Sequence, residues 1–342
     1  MFLKDLKREI ENGPEGVHIV AEERNGIIEA LHRTHIAVVN SSGKVLYSSG
    51  DPKMVTYTRS CIKPIQALPV LTTGAADRFG LNDRELAIIS GSHSGEKEQV
   101  DTVLSILEKA GLDPSLLKCG GHTPFHKETA KVVGDLFTGL HDNCSGKHAG
   151  ALAACRARGW DLDGYLQWDH PLTLEIISII SSLTGSKKEN VLLGSDGCDI
   201  PNFAIPMDRM AHLFVMLMDP PEHELTPHLQ RIGRAMIDNP YMVAGTDRFD
   251  TVIMEDFPGK LLSKAGAAGL QSVAIDTDDG WLGIALKVED GAYSMIGPLT
   301  YHVIGELGIE IRTRNRYSNP EVKTRSGRIV GLHHVLGSLR AV

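Results

Sequence analysis

The sequence predicts an α+β fold in which both ends of the chain contribute strands to one antiparallel sheet, with a helical region between them. Strand-like segments occur in two blocks, at 18–49 and 272–299. Between these blocks, apolar residues recur at the three- and four-residue spacing of helices. Runs of strands separated by a run of helices are typical of the α+β class.

The first strand block carries a hairpin signal. The turn residues "NSSGK" separate two β-branched runs, Ile36–Val39 and Val45–Tyr47. The late block contains two turn clusters, Asp276–Gly280 and Glu289–Gly291, between apolar segments that we interpret as strands.

The middle of the chain contains three amphipathic segments that end at Gly or Asn: "KEQVDTVLSILEKAGL", "HPLTLEIISIISSLTG" and "HLQRIGRAMIDNP". These features predict helices. The shorter apolar run "ELAIIS" at 85–90 is interpreted as a strand that leads into the turn "GSHSGE". No linker or repeat divides the chain, so we expect a single unit over 1–342, with 17–58 and 250–342 containing the sheet and 59–249 mainly helical.

Composition and charge narrow the possible functions. Lys and Arg number 35 against 43 for Asp and Glu, a net charge of −8, which argues against a nucleic-acid partner. The charged start of the chain has no apolar signal segment, and no apolar run is long enough to cross a membrane. Five irregularly spaced cysteines indicate reduced thiols, some of them candidate ligands. We therefore expect a cytoplasmic protein without a membrane partner.

The stretch "RSCIKP" raises the possibility of a serine nucleophile. Ser60 precedes Lys63 by three residues, which is one helical turn, and a neutral lysine at that spacing can take the serine proton. Ser60 as a helix N-cap is the alternative, because serine is common before an apolar run. Pro64 restricts both interpretations, since proline is accommodated only in the first turn of a helix.

Two further segments favour acyl transfer. The turn around Ser92 and the segment Lys264-Ala-Gly follow Ser60-x-x-Lys63 along the chain. This is the order of the S-x-x-K, S-D-N and K-T-G elements of β-lactamases and penicillin-binding proteins.

A second cluster of candidate residues lies in "HDNCSGKHAG" and "GSDGCDIPNFA". Cys144 and Cys198 are possible zinc ligands, with Lys147 or His148 completing the set, although from these residues alone buried or idle thiols are the more common explanation. The lysine here is not part of a phosphate-binding loop, because the required glycine and hydroxyl pattern is missing.

Arg59 directly precedes Ser60, and Asp196 lies in the same glycine-rich turn as Cys198. A cationic and an anionic side chain thus flank the candidate site. A substrate carrying both an ammonium and a carboxylate would need both side chains, although from these residues alone an ordinary surface charge is the more common explanation of each.

Seven ordered motifs together resemble the class 3, or rhizobial-type, L-asparaginase family: "RSCIKPIQALP", "SGSHSGE", "CGGHTP", "DNCSGKHAG", "GSDGCDIPNFA", "MVAGTDRFDT" and "KAGAAG". The resemblance extends from about Glu29 to Gly331. It implies a serine-β-lactamase-like fold, hydrolysis of L-asparagine to aspartate and ammonia, and a homodimer.

The resemblance also implies roles for individual residues. Ser60 with Lys63 and Ser92 with Lys264 match the two Ser–Lys tandems of the family. The resemblance implies one zinc ion per chain, with a structural or substrate-tuning role, bound by Cys144, Lys147 and Cys198. It also places Arg59, Asp196 and His148 at positions near the substrate.

Three other functions are compatible with the residues. A zinc-dependent amidohydrolase would use metal-bound hydroxide on the same amide. A penicillin-interacting acyl-enzyme would form a covalent adduct with β-lactams, and a non-catalytic binding protein would bind asparagine without releasing ammonia.

Overall fold

The computed structural model describes residues 2–11, 17–318 and 320–342. Within these residues the strands are β1 (Ile19–Arg24), β2 (Ile27–Asn40), β3 (Val45–Ser49), β4 (Val55–Tyr57), β5 (Leu192–Ser195), β6 (Pro201–Pro206), β7 (Leu261–Gly266), β8 (Leu270–Thr277), β9 (Gly280–Val288), β10 (Glu321–Lys323), β11 (Ile329–Leu336) and β12 (Arg340–Ala341).

The helices are α1 (Leu3–Glu11), α2 (Lys63–Gln66), α3 (Leu68–Thr72), α4 (Ala75–Phe79), α5 (Asp83–Ile89), α6 (Lys97–Lys109), α7 (Lys127–Val133), α8 (Ser145–Arg158), α9 (Pro171–Thr184), α10 (Met207–Val215), α11 (Thr226–Ile237), α12 (Pro240–Val243), α13 (Phe249–Asp256) and α14 (Ile296–Glu306). Helices α6, α9 and α11 confirm the three predicted helices, and each buries its apolar side in the core.

The large sheet joins the two ends of the chain, as predicted. Its strand order is β10-β11-β1-β2-β9-β8-β7, with β3 paired to β2 and β12 paired to β3. All of these neighbours are antiparallel. The central junction pairs Ile36 with Leu286 and Val38 with Ile284, four fully buried side chains. The α+β class and the antiparallel sheet are therefore confirmed.

Two of the three turns predicted within the strand blocks lie between strands. The hairpin of β2 and β3 pairs Val38 with Tyr47, and the cluster at 276–280 connects β8 to β9. A small separate sheet, β4-β6-β5, lies within the middle of the chain and connects the segment before Ser60 with the segment after Cys198.

Two strand predictions were wrong. The run "ELAIIS" forms α5, which begins with a capping box between Asn82 and Glu85. Every residue from Glu85 to Ile89 is buried, and a short run buried on all sides has no periodicity that distinguishes helix from strand. The segment after Gly291 likewise forms a 3-10 turn and α14, not a strand.

Small residues allow α5 and α8 to approach closely. A Cβ added at Gly146 of α8 would lie 2.4 Å from the carbonyl oxygen of Ile88 in α5. This contact brings the C-terminal end of α5, which leads to Ser92, beside the N-terminal end of α8, which carries Cys144 and Lys147. The division into a sheet part and a helical part stays a prediction.

Candidate active site

Ser60 lies in a 3-10 turn, Arg59–Ile62, that precedes α2. The cap positions of the turn and of the helix are Thr58 and Ile62, and neither makes a side-chain cap. The interpretation of Ser60 as an N-cap is therefore wrong. Pro64 occupies the first turn of α2, as expected.

Arg59 has φ of 47°, in the left-handed region that non-glycine residues rarely adopt. Such a conformation costs on the order of 1–3 kcal/mol and persists only where the surroundings impose it. Here Arg59 Nε donates to Asp196 Oδ1 at 2.9 Å. The strained residue directly before Ser60 is thus tied to a second predicted site residue.

Lys63 is fully buried and its Nζ contacts three oxygens. These are the carbonyl oxygens of Gly91 at 2.7 Å and Asn143 at 3.2 Å, and Ser92 Oγ at 2.9 Å. The two carbonyls can only accept, so each takes an N–H from Lys63. If the amine is neutral, its lone pair remains for the Ser92 hydroxyl, which can donate. This is the arrangement of a general base with a hydroxyl.

The hydrogen bonds do not follow the two predicted tandems. Among the described residues, the Lys63 side chain bonds Ser92, whereas no side-chain hydrogen bond joins Ser60 to Lys63 or Ser92 to Lys264. Ser60 and Lys63 are joined only through their backbones, by the Lys63 N–H that donates to the Ser60 carbonyl. Lys264 Nζ instead donates to the Ala265 carbonyl at 2.7 Å. Lys63 is nevertheless close enough for its charge to lower the pKa of Lys264. That the four side chains form one site stays a prediction, as do their individual roles.

Burial lowers the pKa of Lys264 to about 8, because its ammonium has lost most of its hydration. The Asp250 carboxylate, whose Oδ2 lies 3.9 Å from Lys264 Nζ, acts in the opposite direction and raises this pKa. Asp250 accepts from the Ser263 hydroxyl and the Ala265 N–H, which holds β7 and α13 together beside this lysine. The sequence analysis missed Asp250, although it lies within the motif "MVAGTDRFDT".

The predicted metal ligands lie together in the interior. Lys147 Nζ lies 3.1 Å from Cys198 Sγ, and Cys198 is hydrogen-bonded to Cys144. All three side chains are buried. The peptide that carries the Asn143 carbonyl also connects this cluster to Lys63.

Hydrogen bonding and charge favour a thiolate in this cluster. The hydrogen bond with Cys198 holds the pKa of Cys144 well below its usual value, against the effect of burial, and the same bond raises the pKa of Cys198. Burial disfavours the ammonium of Lys147, but Cys198, Cys144 and Asp196 outweigh burial and raise the pKa of Lys147.

Two thiol sulfurs in a buried pocket match donors that Zn²⁺ accepts, and the Lys147 amine would add a nitrogen, an unusual third donor. The separation of 3.1 Å between Lys147 Nζ and Cys198 Sγ is close to the spacing of about 3.6 Å expected for two ligands of one tetrahedral ion. The residues therefore fit a zinc ion, provided that Lys147 loses its proton when the ion binds.

Asp196 lies between the two cationic side chains of this region. Burial raises the pKa of Asp196, but Lys147, the Gly197 N–H and Arg59 together hold it below its usual range. Its carboxylate is 4.0 Å from Lys147 Nζ and bonded to Arg59, whose side chain is 31% exposed. The pair therefore marks the solvent-facing side of the cluster.

His148 is fully buried behind Lys147. Its Nδ1 lies 2.8 Å from the Tyr165 hydroxyl, and its Nε2 has no hydrogen-bond partner among the described residues. Burial and the charges of Lys147 and Lys63 hold its pKa well below the usual value, so the ring is neutral. Its predicted contact with substrate stays a prediction.

His93, which the sequence analysis did not assign to the site, connects the turn of Ser92 with the start of α8 beside Cys144. Its Nε2 lies 2.8 Å from Ser145 Oγ, directly after Cys144, and its backbone follows Ser92. Burial lowers the pKa of His93 to about 3, with help from the charge of Lys63. Its place in "SGSHSGE" was the available signal.

The L-asparaginase II family model matches residues 20–335 of the chain. No curated protein sequence matches the chain. A solved structure of a candidate β-lactamase from Bacteroides dorei is 13% identical and covers 88% of this chain and 97% of that chain, with a TM-score of 0.37. Such a score describes a loose overlap, so the fold class rests on the strand pairing described above. None of the described helices is long and apolar enough to cross a membrane.

Proposed function

We propose, from the premise that the chain belongs to the L-asparaginase II family and is an amidohydrolase acting on asparagine, that it hydrolyses L-asparagine through a β-aspartyl ester on Ser60. Lys63 is the general base of this proposal, and Ser92 carries its proton onward. The single observation that supports it most is the position of Lys63 Nζ, which two carbonyls hold 2.9 Å from Ser92 Oγ, so that a proton can pass between this amine and Ser92.

Exposure favours Ser60 as the acylated residue. A nucleophile has to meet its substrate, and Ser60 is partly exposed, whereas Ser92 is 7% exposed and already bonded to Lys63. Residues three apart on one helical turn are neighbours, and the 3-10 turn places Lys63 next to Ser60.

The proposed reaction has two stages. Ser60 Oγ bonds to the side-chain amide carbon of asparagine as its proton passes to Lys63, the C–N bond breaks, and ammonia leaves with a proton delivered through Ser92. Water then attacks the ester, its proton returns along the same residues, and aspartate and free Ser60 result.

The ion pair of Arg59 and Asp196 would recognise the amino-acid end of the substrate. Asp196 is held as a carboxylate and would accept the substrate ammonium, while Arg59 would turn to the α-carboxylate. Because these groups neutralise each other in the free protein, the substrate would exchange one ion pair for two.

Cys144, Lys147 and Cys198 would hold the zinc ion in this proposal. When bound, the ion would supply a fixed positive charge beside Asp196 and would restrict the movement of the residues around it. The three residues would then keep Asp196 and the Asn143 carbonyl in place for substrate and for Lys63.

Trapping the ester tests the proposal. Acid-quenched enzyme with asparagine is digested and searched by mass spectrometry for a β-aspartyl adduct, and ammonia release is measured for wild type, Ser60→Ala, Ser92→Ala and the matched control Ser90→Ala. We expect the adduct on Ser60, a loss of at least about 10²-fold for Ser60→Ala, a smaller loss for Ser92→Ala, and normal activity for Ser90→Ala, because removal of a nucleophile is among the most damaging changes in an enzyme.

An adduct on Ser92 would reverse the two serine roles and contradict the proposal. Activity that survives in both serine variants but disappears reversibly on chelation would identify a zinc-hydroxide amidohydrolase instead. A stable adduct with penicillin, without ammonia release, would identify a penicillin-interacting acyl-enzyme.

The homodimer, the cytoplasmic location and the absence of a nucleic-acid partner are part of the same proposal. They are supported by membership of the family and by the net charge of −8. Sedimentation of the purified protein at micromolar concentration is expected to give twice the chain mass of 37.2 kDa.

A further inference from the structure

A second group of potential metal ligands lies where the N-terminal strand block meets the last helix. Among the described residues, His18, His302 and Glu306 each offer one ligand atom, and these atoms lie within 4.8 Å of one another. His18 directly precedes β1 and is fully buried. His302 and Glu306 lie four residues apart on α14, so both project from one face of that helix. The group shares no residue with the candidate active site.

The spacing of the ligand atoms suits a small divalent ion. Ligands at about 2.0–2.2 Å from a tetrahedral ion are about 3.3–3.6 Å apart. Glu306 Oε2 lies 2.8 Å from His18 Nε2 and 3.8 Å from His302 Nε2, distances on either side of that range. Side-chain movements of less than about 1 Å would give the required spacing.

The other polar atoms of two of these side chains are already bound. The backbone of Gly337 is hydrogen-bonded to the His302 ring, and the Leu339 N–H donates to Glu306 Oε1 at 3.2 Å. Histidine ligands of metals characteristically bind a carbonyl through the second ring nitrogen, which orients the first. This support leaves His302 Nε2 buried and without a hydrogen-bond partner among the described residues.

The site is also open to solvent on one side. A cavity of about 610 Å³ is lined by His302, Glu306 and Thr313, among other residues of this region. An ion can therefore enter, and water can supply its fourth ligand, as in zinc sites with three protein ligands.

We propose that His18, His302 and Glu306 form a second metal site, which binds a divalent transition ion such as Zn²⁺ and joins the start of β1, α14 and the segment 337–339. Two neutral imidazoles and one carboxylate favour zinc and similar ions over Mg²⁺ or Ca²⁺, which prefer sets of oxygen ligands. Because the site connects segments about 290 residues apart in the chain, metal binding stabilises the folded protein against unfolding.

The test measures Zn²⁺ binding by the full chain after chelator treatment. Cys198→Ser removes a ligand of the cysteine cluster, so that binding at the proposed site can be measured by itself. Calorimetric titrations compare Cys198→Ser with the double variant Cys198→Ser/Glu306→Gln. A second pair of titrations compares wild type with Glu306→Gln. We expect Cys198→Ser to bind one equivalent at this site and the addition of Glu306→Gln to weaken that binding at least 10-fold. Zn²⁺ should also raise the Tm of Cys198→Ser by a few degrees, and of the double variant by less.

Co²⁺ gives an independent readout. The proposed site has no sulfur ligand, so Co²⁺ bound to Cys198→Ser should show visible d–d bands that Glu306→Gln removes, without the thiolate charge-transfer band expected of the cysteine cluster. His302→Gln repeats the comparison with the second ligand of α14, and circular dichroism of each metal-free variant verifies folding.

The proposal is overturned if folded Cys198→Ser binds no Zn²⁺ in the micromolar range, or if Glu306→Gln and His302→Gln both bind it as tightly as their parent. In either case the three residues form a hydrogen-bonded group only.

Discussion

Three lysines, Lys63, Lys147 and Lys264, are buried to 2% exposure or less, which is rare for lysine without a partner. Each has a different environment: carbonyls and a serine around Lys63, sulfur and a carboxylate around Lys147, and a carbonyl with a more distant carboxylate around Lys264. These differences assign them different chemistry. Lys147 is held as a cation in the metal-free protein, whereas Lys264 has a pKa close to physiological pH.

The pKa of Lys264 predicts a pH dependence of stability. The folded protein releases this proton near pH 8 and the unfolded chain near 10.5, so between these values the unfolded state binds more protons and stability rises with pH. The contribution is on the order of 3 kcal/mol, at about 1.4 kcal/mol per pKa unit. Urea denaturation of wild type and Lys264→Met at pH 7.5, 9 and 10.5 measures it. As the pH rises from 7.5 to 10.5, the unfolding free energy of wild type should increase by a few kcal/mol relative to that of Lys264→Met. A difference that does not change with pH would refute the lowered pKa of Lys264.

Asp196 predicts a separation of binding from turnover. Asp196→Asn removes the carboxylate that would hold the substrate ammonium but leaves Ser60, Lys63 and Ser92 in place. We expect KM for asparagine to rise at least about 10-fold with a smaller change in kcat, because loss of a charged hydrogen bond costs about 1.5–3 kcal/mol of binding. Steady-state ammonia release measures both constants. A loss confined to kcat would instead place Asp196 in the chemical step.

At the scale of elements, the contact between α5 and α8 brings the serine turn next to the cysteine cluster. Gly146→Ala would place a Cβ 2.4 Å from a backbone carbonyl of α5, so the helices have to separate. We expect a loss of about 1–3 kcal/mol in the free energy of unfolding and reduced activity.

A matched control is Gly305→Ala in α14, where the nearest atom to the new Cβ is a flexible Ile311 methyl at 3.6 Å. This change should be neutral or stabilising by up to about 1 kcal/mol, because alanine favours helix over glycine. Thermal or urea denaturation of both variants measures the contrast. Equal effects of the two substitutions would show that the helix contact is less tight than described.

At the scale of the whole molecule, the sheet depends on strands that are distant in sequence. Strand β11 pairs with β1 from Ile19 with Leu336 to Glu22 with His333, more than 300 residues apart. Removing residues 329–342 would leave one edge of β1 unpaired and β10 without its neighbour. We expect a large fall in Tm and loss of hydrogen-exchange protection in β1.

Removing only residues 340–342 is the control for this deletion. It takes away β12, whose two residues are exposed and pair with β3. We expect little change in Tm and in the protection of β1. A Tm of the longer deletion equal to that of the control would show that β11 is dispensable for the sheet.

The fold class, most of the strands and the ordered motifs could be predicted before the structure was known, because periodicity and turn chemistry are local properties of a chain. The sequence also identified most residues of the candidate site, since Ser60, Lys63, Cys144 and Cys198 occur in specific motifs. It mistook α5 for a strand, because a short run buried on every side carries no periodic signal.

Which side chains are partners became visible only in the folded molecule. That Lys63 bonds Ser92, that Asp250 lies beside Lys264, and that His18 lies beside α14 each depend on contacts between residues that are 14 to 288 positions apart in the chain. Burial determines the protonation of these groups through lost hydration, and burial is a property of the packed molecule and not of any segment.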